Sequence, residues 1–146
     1  MNYLLEFLGN KIILISIASW AVAQLIKILI DVIVNKRIDL GLIFATGGMP
    51  SSHSAFVASL ATSLGLIYGF DSVYFSISFV LAIVVMYDAA GVRRAAGYQA
   101  ATINKLIEIL NVKIDEKLKE LLGHTPVQVT AGAILGISIA IIANII

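Results

Sequence analysis

The sequence predicts an all-α polytopic membrane bundle of about four spans, with one amphipathic helix on its cytoplasmic or interfacial side. Three observations carry this. Of 146 residues, 60% are hydrophobic and 13% charged, whereas a soluble domain is about 45–50% apolar and about 25% charged. Apolar stretches near the length a bilayer needs, about 20 residues as helix, recur along the chain. The basic residues gather in alternate connecting segments, as the positive-inside rule requires. A water-soluble domain and a disordered chain are both excluded, because there is too little polar surface for either. Ten Lys+Arg against nine Asp+Glu give +1, so no bulk field recruits nucleic acid. Cysteine is absent, which excludes disulfides and thiolate chemistry.

Residues 1–10 are too short to span and suit the interface. The first span, 12–34, is interrupted only by Gln24, Lys27 and Asp31. Ala21-Val22-Ala23 matches a signal-cleavage pattern, but Glu6 and a lone Lys11 precede it and apolar sequence runs on to Val34, so cleavage is not expected. The second span, 54–70, ends in Gly69-Phe70-Asp71-Ser72, a turn signal, and the third, 73–90, follows at once as the other half of a helical hairpin. The fourth, 127–146, opens after Pro126, where a helix-starting proline is tolerated. Together they form a single membrane domain over 1–146.

Lys36, Arg37, Arg93, Arg94, Lys105, Lys113, Lys117 and Lys119 fall in the two segments on one side of these spans, and Lys11 alone on the other. That side is therefore assigned to the cytoplasm. Between Ala100 and Leu122, residues Ile103, Leu106, Ile107, Leu110, Ile114, Leu118 and Leu121 recur at three- and four-residue steps. This predicts an amphipathic helix over 100–122, with a break near Asn111 as one option and Gly123 as its C-terminal cap.

Three segments carry candidate chemistry, all on the basic side. In Gly47-Gly48-Met49-Pro50-Ser51-Ser52-His53-Ser54, the glycines permit close backbone approach, and Ser51 or Ser52 can cap the next helix. The N–H groups of that helix start form an anion site with His53 in the first turn. An ordinary capped loop with a surface histidine is the alternative. Asp88-Ala89-Ala90-Gly91-Val92-Arg93-Arg94 closes the third span, and arginine forks bind phosphate oxygens. The same arginines would also serve as membrane-edge anchors, with Asp88 pairing one of them. In Gly123-His124-Thr125-Pro126-Val127-Gln128, His124 and Gln128 share a face if the helix has begun there. Within the first span Gln24, Lys27 and Asp31 form a polar stripe from which Lys27 reaches the cytoplasmic interface; a structural Lys27–Asp31 pair is the alternative. Gly132 and Gly136 read as plain helix packing. No carboxylate–histidine group has metal-ligand spacing, so neither a metal nor another cofactor is expected. Two histidines, arginines, a lysine and a helix start suit phosphoryl transfer by a histidine nucleophile and a histidine acid.

Gly-Gly-Met-Pro-Ser-Ser-His-Ser-Ala, Met-Tyr-Asp-Ala-Ala-Gly-Val-Arg-Arg and Gly-His-Thr-Pro-Val-Gln-Val, in this order, resemble the divergent branch of the type 2 phosphatidic acid phosphatase and vanadium haloperoxidase superfamily. The resemblance covers the chain from about Trp20 onward. It implies His53 as general acid, Arg93 or Arg94 as a phosphate ligand, His124 as nucleophile, and Lys27 as the match to a first-motif lysine. The sequence departs from the superfamily pattern. No Arg-Pro follows Lys27, Ser52 replaces a glycine, a long segment separates Arg94 from His124, and Gln128 stands where an acid belongs.

The expected function is metal-independent hydrolysis of a lipid phosphate through a phosphohistidine. His124 and His53 would be catalytic, Lys27, Arg93, Arg94, Ser51, Ser52 and Gly48 would bind substrate, and Asp88 and Gln128 would support them. The alternative is a non-catalytic membrane protein holding a phosphorylated headgroup or partner at the same site. A small transporter or channel subunit is a third reading and has only Lys27 and Asp31 in its favour. Membrane lipid and a lipid phosphate are the expected partners, in a plasma membrane of bacterial type; nucleic acid is not, and a homo-oligomer is left open.

Overall fold

A computed structural model describes residues 2–36, 47–112, 114, 116–120 and 122–146. The positions of Arg37, Lys113, Asp115 and Leu121 lie outside these. The described residues form six helices: α1 (Tyr3–Leu8), α2 (Lys11–Asn35), α3 (Ser52–Tyr68), α4 (Val73–Ala90), α5 (Val92–Ile109) and α6 (Pro126–Ile145). Local sequence sets their starts. Asn10 Oδ1 accepts from Ile12 N–H and Ile13 N–H at α2, while Ser51, Ser72 and Thr125 hydroxyls cap α3, α4 and α6. Gly69, at φ +93°, closes α3 and begins the hairpin turn into α4.

Lys11–Asn35, the kinked run Val73–Ile109 and Pro126–Ile145 are long and apolar enough to cross a membrane. The 17-residue α3 rises roughly 25 Å at about 1.5 Å per residue, short of a hydrocarbon core about 30 Å thick. It sits at the centre of the bundle, packed on α2, α4 and α6.

The core is the inverse of a soluble one. Large apolar side chains such as Leu25, Leu29, Ile77, Val80, Val84 and Ile134 face outward, while the fully buried positions include Ser16, Ser19, Ser54, Ser59, Ser63, Ala23 and Ala55. In lipid, apolar surface gains nothing by turning inward, so close approach of helix backbones decides the packing. The serine hydroxyls stay satisfied by donating to carbonyls of their own helix, Ser16 to Ile12, Ser19 to Ile15 and Ser59 to Phe56. Gly132 and Gly136 bring α6 onto the α3 backbone: a Cβ at either would lie 2.2 Å from the carbonyl oxygen of Ser51 or Ala55. Ser51 N–H also donates to Gln128 C=O at 3.0 Å, tying the two helix starts together.

The amphipathic helix expected over 100–122 is displaced. It begins at Val92, directly after the α4 kink at Gly91, and stops at Ile109. Asn111 adopts a positive φ of 52°, and the described residues from 112 to 125 are not helical. A tertiary clasp replaces the helical bonds. The Asn104 side chain, 5% exposed, accepts from Leu118 N–H at 2.9 Å and donates to Leu118 C=O and Glu120 Oε1, both at 2.8 Å. The chain thus runs back along α5. Gly123 is not a helix cap; at φ +81° it lies against the Arg93–Arg94 backbone, where a Cβ would come within 2.4 Å of Arg94 N.

Candidate functional site

Helix ends build the site: the C-terminal half of α2, the start of α3, the α4–α5 junction and the start of α6. The return of the chain along α5 accounts for the distance in sequence between Arg94 and His124. Gly123 packs on the Arg93–Arg94 backbone, and His124 N–H donates to Ala89 C=O at 2.9 Å. The long intervening segment is a closed excursion, and its two ends meet.

His124 is 4% exposed. Its Nδ1 lies 3.3 Å from Gln128 Oε1, which also accepts from Thr125 N–H at 3.0 Å. The neighbours found at a four-residue spacing are therefore real, but they do not share a helix face. His124 precedes the helix, and Gln128 reaches back as the third residue of a capping box with Thr125. Thr125-x-x-Gln128 is a readable signature that points to this arrangement. The amide oxygen, already accepting one N–H, suits the tautomer in which Nδ1–H donates to it and Nε2 holds the lone pair.

Burial holds the His124 imidazole below the ordinary histidine range; the Lys27 and His53 charges push the same way, against the hydrogen bonds to Gln128 and the Gly48 backbone. The neutral form is the nucleophilic one. The depressed value has a consequence for stability. Below about pH 6.5, the ordinary histidine value, the unfolded chain takes up a proton before the folded one does, so stability falls as pH drops toward the folded value. Melting temperatures measured between about pH 8 and about pH 5 should fall on the acid side, and His124→Asn should flatten that limb.

Arg93, His53 and His124 line one narrow crevice with Val85 and Ala89. Arg94 and Gly48 line a larger cavity of about 360 Å³ that His124 also borders, with Gln128, Tyr98 and Glu120. The two arginines are held differently. Arg93 Nε is 2.6 Å from Asp88 Oδ2. Arg94 Nη2 donates to Tyr98 Oη at 3.0 Å and its guanidinium lies 5.5 Å from the Tyr98 ring centroid. Lys27 is buried, with its stem beneath Gly48, where a Cβ would meet Lys27 Cγ and Cδ at 3.1 Å.

Ser51 and Ser52 are also buried, and neither lines the crevice or the cavity. Ser51 is the α3 cap: its hydroxyl accepts from Ser54 N–H and Ser54 Oγ–H, and its amide is committed to Gln128. Its hydroxyl and amide are both engaged within the protein, and Ser54 N–H and Ala55 N–H are taken by Ser51, so the amide donors left at this helix start are those of Ser52 and His53. Asn104, Glu120, Tyr98 and Thr125 are the site-building residues that the sequence reading passed over. Tyr98, one helical turn from Arg94, was accessible to an i,i+4 argument; Glu120 depends on the fold-back and was not.

No solved structure matches this chain. The "Uncharacterized membrane protein YuiD" of Bacillus subtilis (strain 168) is 43% identical over 152 residues, covering 94% of this chain and 96% of that protein. The family model described as "Divergent PAP2 family" matches residues 8–139, a range that holds all three motifs and every residue of the crevice and the cavity. The chain belongs to the divergent PAP2 family.

Proposed function

We propose that this membrane protein hydrolyses a lipid phosphate through a covalent phosphohistidine. The observation that carries the reading is the meeting of Arg93–Arg94 with the buried, Gln128-oriented His124 beside His53. In the first step His124 Nε2 attacks phosphorus, the P–O ester bond breaks, and His53 gives its proton to the leaving oxygen. In the second, water attacks phosphorus, His53 takes the water proton, the P–N bond breaks and orthophosphate leaves. Arg94, Lys27 and the amides at the start of α3 stabilise the phosphoryl oxygens. Arg93, paired with Asp88, lines the wall beside His53.

Gln128 favours the second reading, a non-catalytic phosphate-binding protein, because an amide stabilises an imidazolium less than a carboxylate does. Phosphate release from a panel of lipid phosphates in excess chelator separates the two. Turnover is the outcome for the enzyme; retention of lipid phosphate without release favours the binder. Two substitutions sharpen this. Gln128→Glu should preserve or raise the rate and move the pH optimum upward, since a carboxylate raises the His124 proton affinity. Gln128→Leu should lower the rate about tenfold or more by freeing the ring.

We further propose that α2, α3, α4 and α6 all cross the membrane, with the site facing the cytoplasm. Lys36, Arg93, Arg94, Lys105, Lys117 and Lys119 lie at or beyond the site end of the bundle, and Lys11 at the other. Asn111→Cys should resist an impermeant thiol reagent in intact cells, whereas Asp71→Cys should react. The reverse labelling would place the site on the opposite face. Both positions are exposed; Ser52 is buried and would resist from either side.

A further inference from the structure

Another cavity lies within the membrane-crossing part of the bundle, and the chemistry above makes no use of it. It is a cleft of about 360 Å³ between α4 and α6, floored by α3, in the size range of small-molecule sites, about 300–1,000 Å³. Every lining residue but Thr62 is apolar. Small side chains set its depth: Ala58 and Ala61 of α3, Ala82 of α4 and Ala133 of α6. At the hairpin end two rings close the space between α3 and α4. Phe70 and Phe75 meet edge to face with centroids 5.0 Å apart. Both pack on the α3 backbone at Gly65, where a Cβ would lie 2.5 Å from Phe70 Cε1 and 3.0 Å from Phe75 Cδ2.

At its other end the cleft reaches the crevice. Phe75, Phe79, Ala82, Met86 and Ala89 follow one another at three- and four-residue steps and so share one face of α4. The first four line the cleft, and Ala89 lines the crevice with His53 and His124. From Met86 to Phe75 this face runs roughly 16 Å at about 1.5 Å per residue. That is close to one leaflet, half of a hydrocarbon core about 30 Å thick. Such walls offer no hydrogen bond and keep their dispersion contacts only against hydrocarbon. We infer that the cleft is a hydrocarbon-chain site. One acyl chain of a lipid lies along α4 with its tip at Phe70 and Phe75 and its headgroup end at Ala89, and the two rings set the chain length that the site accepts. The placing of the headgroup rests on the phosphate reading of the crevice; the chain site does not.

Photolabelling of the full chain in phosphatidylcholine vesicles tests this. The probe is a phosphatidic acid with a diazirine at the tip of a dodecanoyl chain, and adducts are located by peptide mass. In the wild type the tip should mark Phe75 and Phe79 about fivefold more than Leu14 and Ile17, which are exposed on α2 at the same end of the bundle. Two variants fill the cleft, Ala133→Phe from α6 and Thr62→Phe from α3; either should bring that ratio to within about twofold. An octadecanoyl probe, too long for the cleft, should lose most of the excess in the wild type and regain it at Leu66 and Phe70 in Phe75→Ala. Equal labelling of the cleft and of α2 in the wild type, or an excess that survives both filling variants, overturns the chain site. An octadecanoyl tip that marks Phe75 as strongly as the dodecanoyl one overturns the length limit set by the rings. A phosphatidylcholine carrying the same dodecanoyl diazirine chain separates the two readings. Weaker labelling of the cleft by it than by phosphatidic acid supports a phosphate held in the crevice; equal labelling overturns the phosphate reading and leaves the chain site standing.

Discussion

Alanine at His124 is expected to reduce phosphate release by about 10³-fold or more, since removing a covalent nucleophile leaves only binding and electrostatic assistance. His53→Ala should cost about 10²–10⁴-fold, the range for a general acid. The two losses should differ in kind. If His53 protonates the leaving oxygen as proposed, a substrate with a low-pKa leaving group, such as a nitrophenyl phosphate, should recover much of the rate in His53→Ala and none in His124→Ala. Because His124 is buried and its amide is bonded to Ala89, the cleaner variant is His124→Asn, which keeps the backbone bond and a polar side chain. A rate within about tenfold of wild type in either His124 variant would exclude it as nucleophile.

Gly132→Ala is expected to destabilise the protein by about 3 kcal/mol, the upper part of the range for overpacking. Helix propensity argues the other way, favouring alanine over glycine by about 1 kcal/mol within a helix. Packing decides the sign. The added methyl would sit 2.2 Å from Ser51 O and 3.0 Å from Ser51 C, and these are backbone atoms that cannot rotate aside. To relieve the clash α6 must move off α3, which stretches the Ser51 N–H to Gln128 C=O bond and carries the acceptor of His124 with it. The melting temperature in detergent should fall, and the rate should fall among molecules that remain folded. Thr130→Ala, an exposed change on the same helix, should leave both nearly unaltered. A Gly132→Ala protein as stable as wild type would show that the two helices are less tightly opposed than 2.2 Å implies.

The parts of the fold that were legible in sequence are those fixed locally. Run length, the Gly69–Ser72 turn and the prolines and hydroxyl residues at helix starts place α2, α3, α4 and α6. The composition of the interior was not foreseen. A polar side chain usually reads as outward-facing, yet Ser16, Ser19, Ser59 and Ser63 are buried because the surroundings are apolar and the interior rewards small size. The amphipathic segment is helical up to the break offered near Asn111 and departs from the expectation beyond it, for a different reason. Ile114 and Leu118 continue the three-to-four spacing of α5, so periodicity alone extends the helix. The Asn104 side chain takes the Leu118 backbone groups instead, and a contact between residues 104 and 118 has no local signal. The candidate site was legible as a set of residues, since the sequence motifs mark His53, the arginine pair, His124 and Gln128. It was not legible as geometry: the role of Gln128 depends on a capping box, and the nearness of Arg94 to His124 depends on the fold-back closing at Gly123.

The central claim is that His124 becomes phosphorylated during turnover. Protein mixed with a lipid phosphate in excess chelator, quenched within the first turnover in alkaline denaturant, can be digested and its peptides weighed. A phosphoryl adduct on the His124 peptide that is acid-labile and alkali-stable, and that disappears in His124→Asn, is the expected result. Steady phosphate release with no adduct on His124, or with the adduct on another residue, would contradict the account.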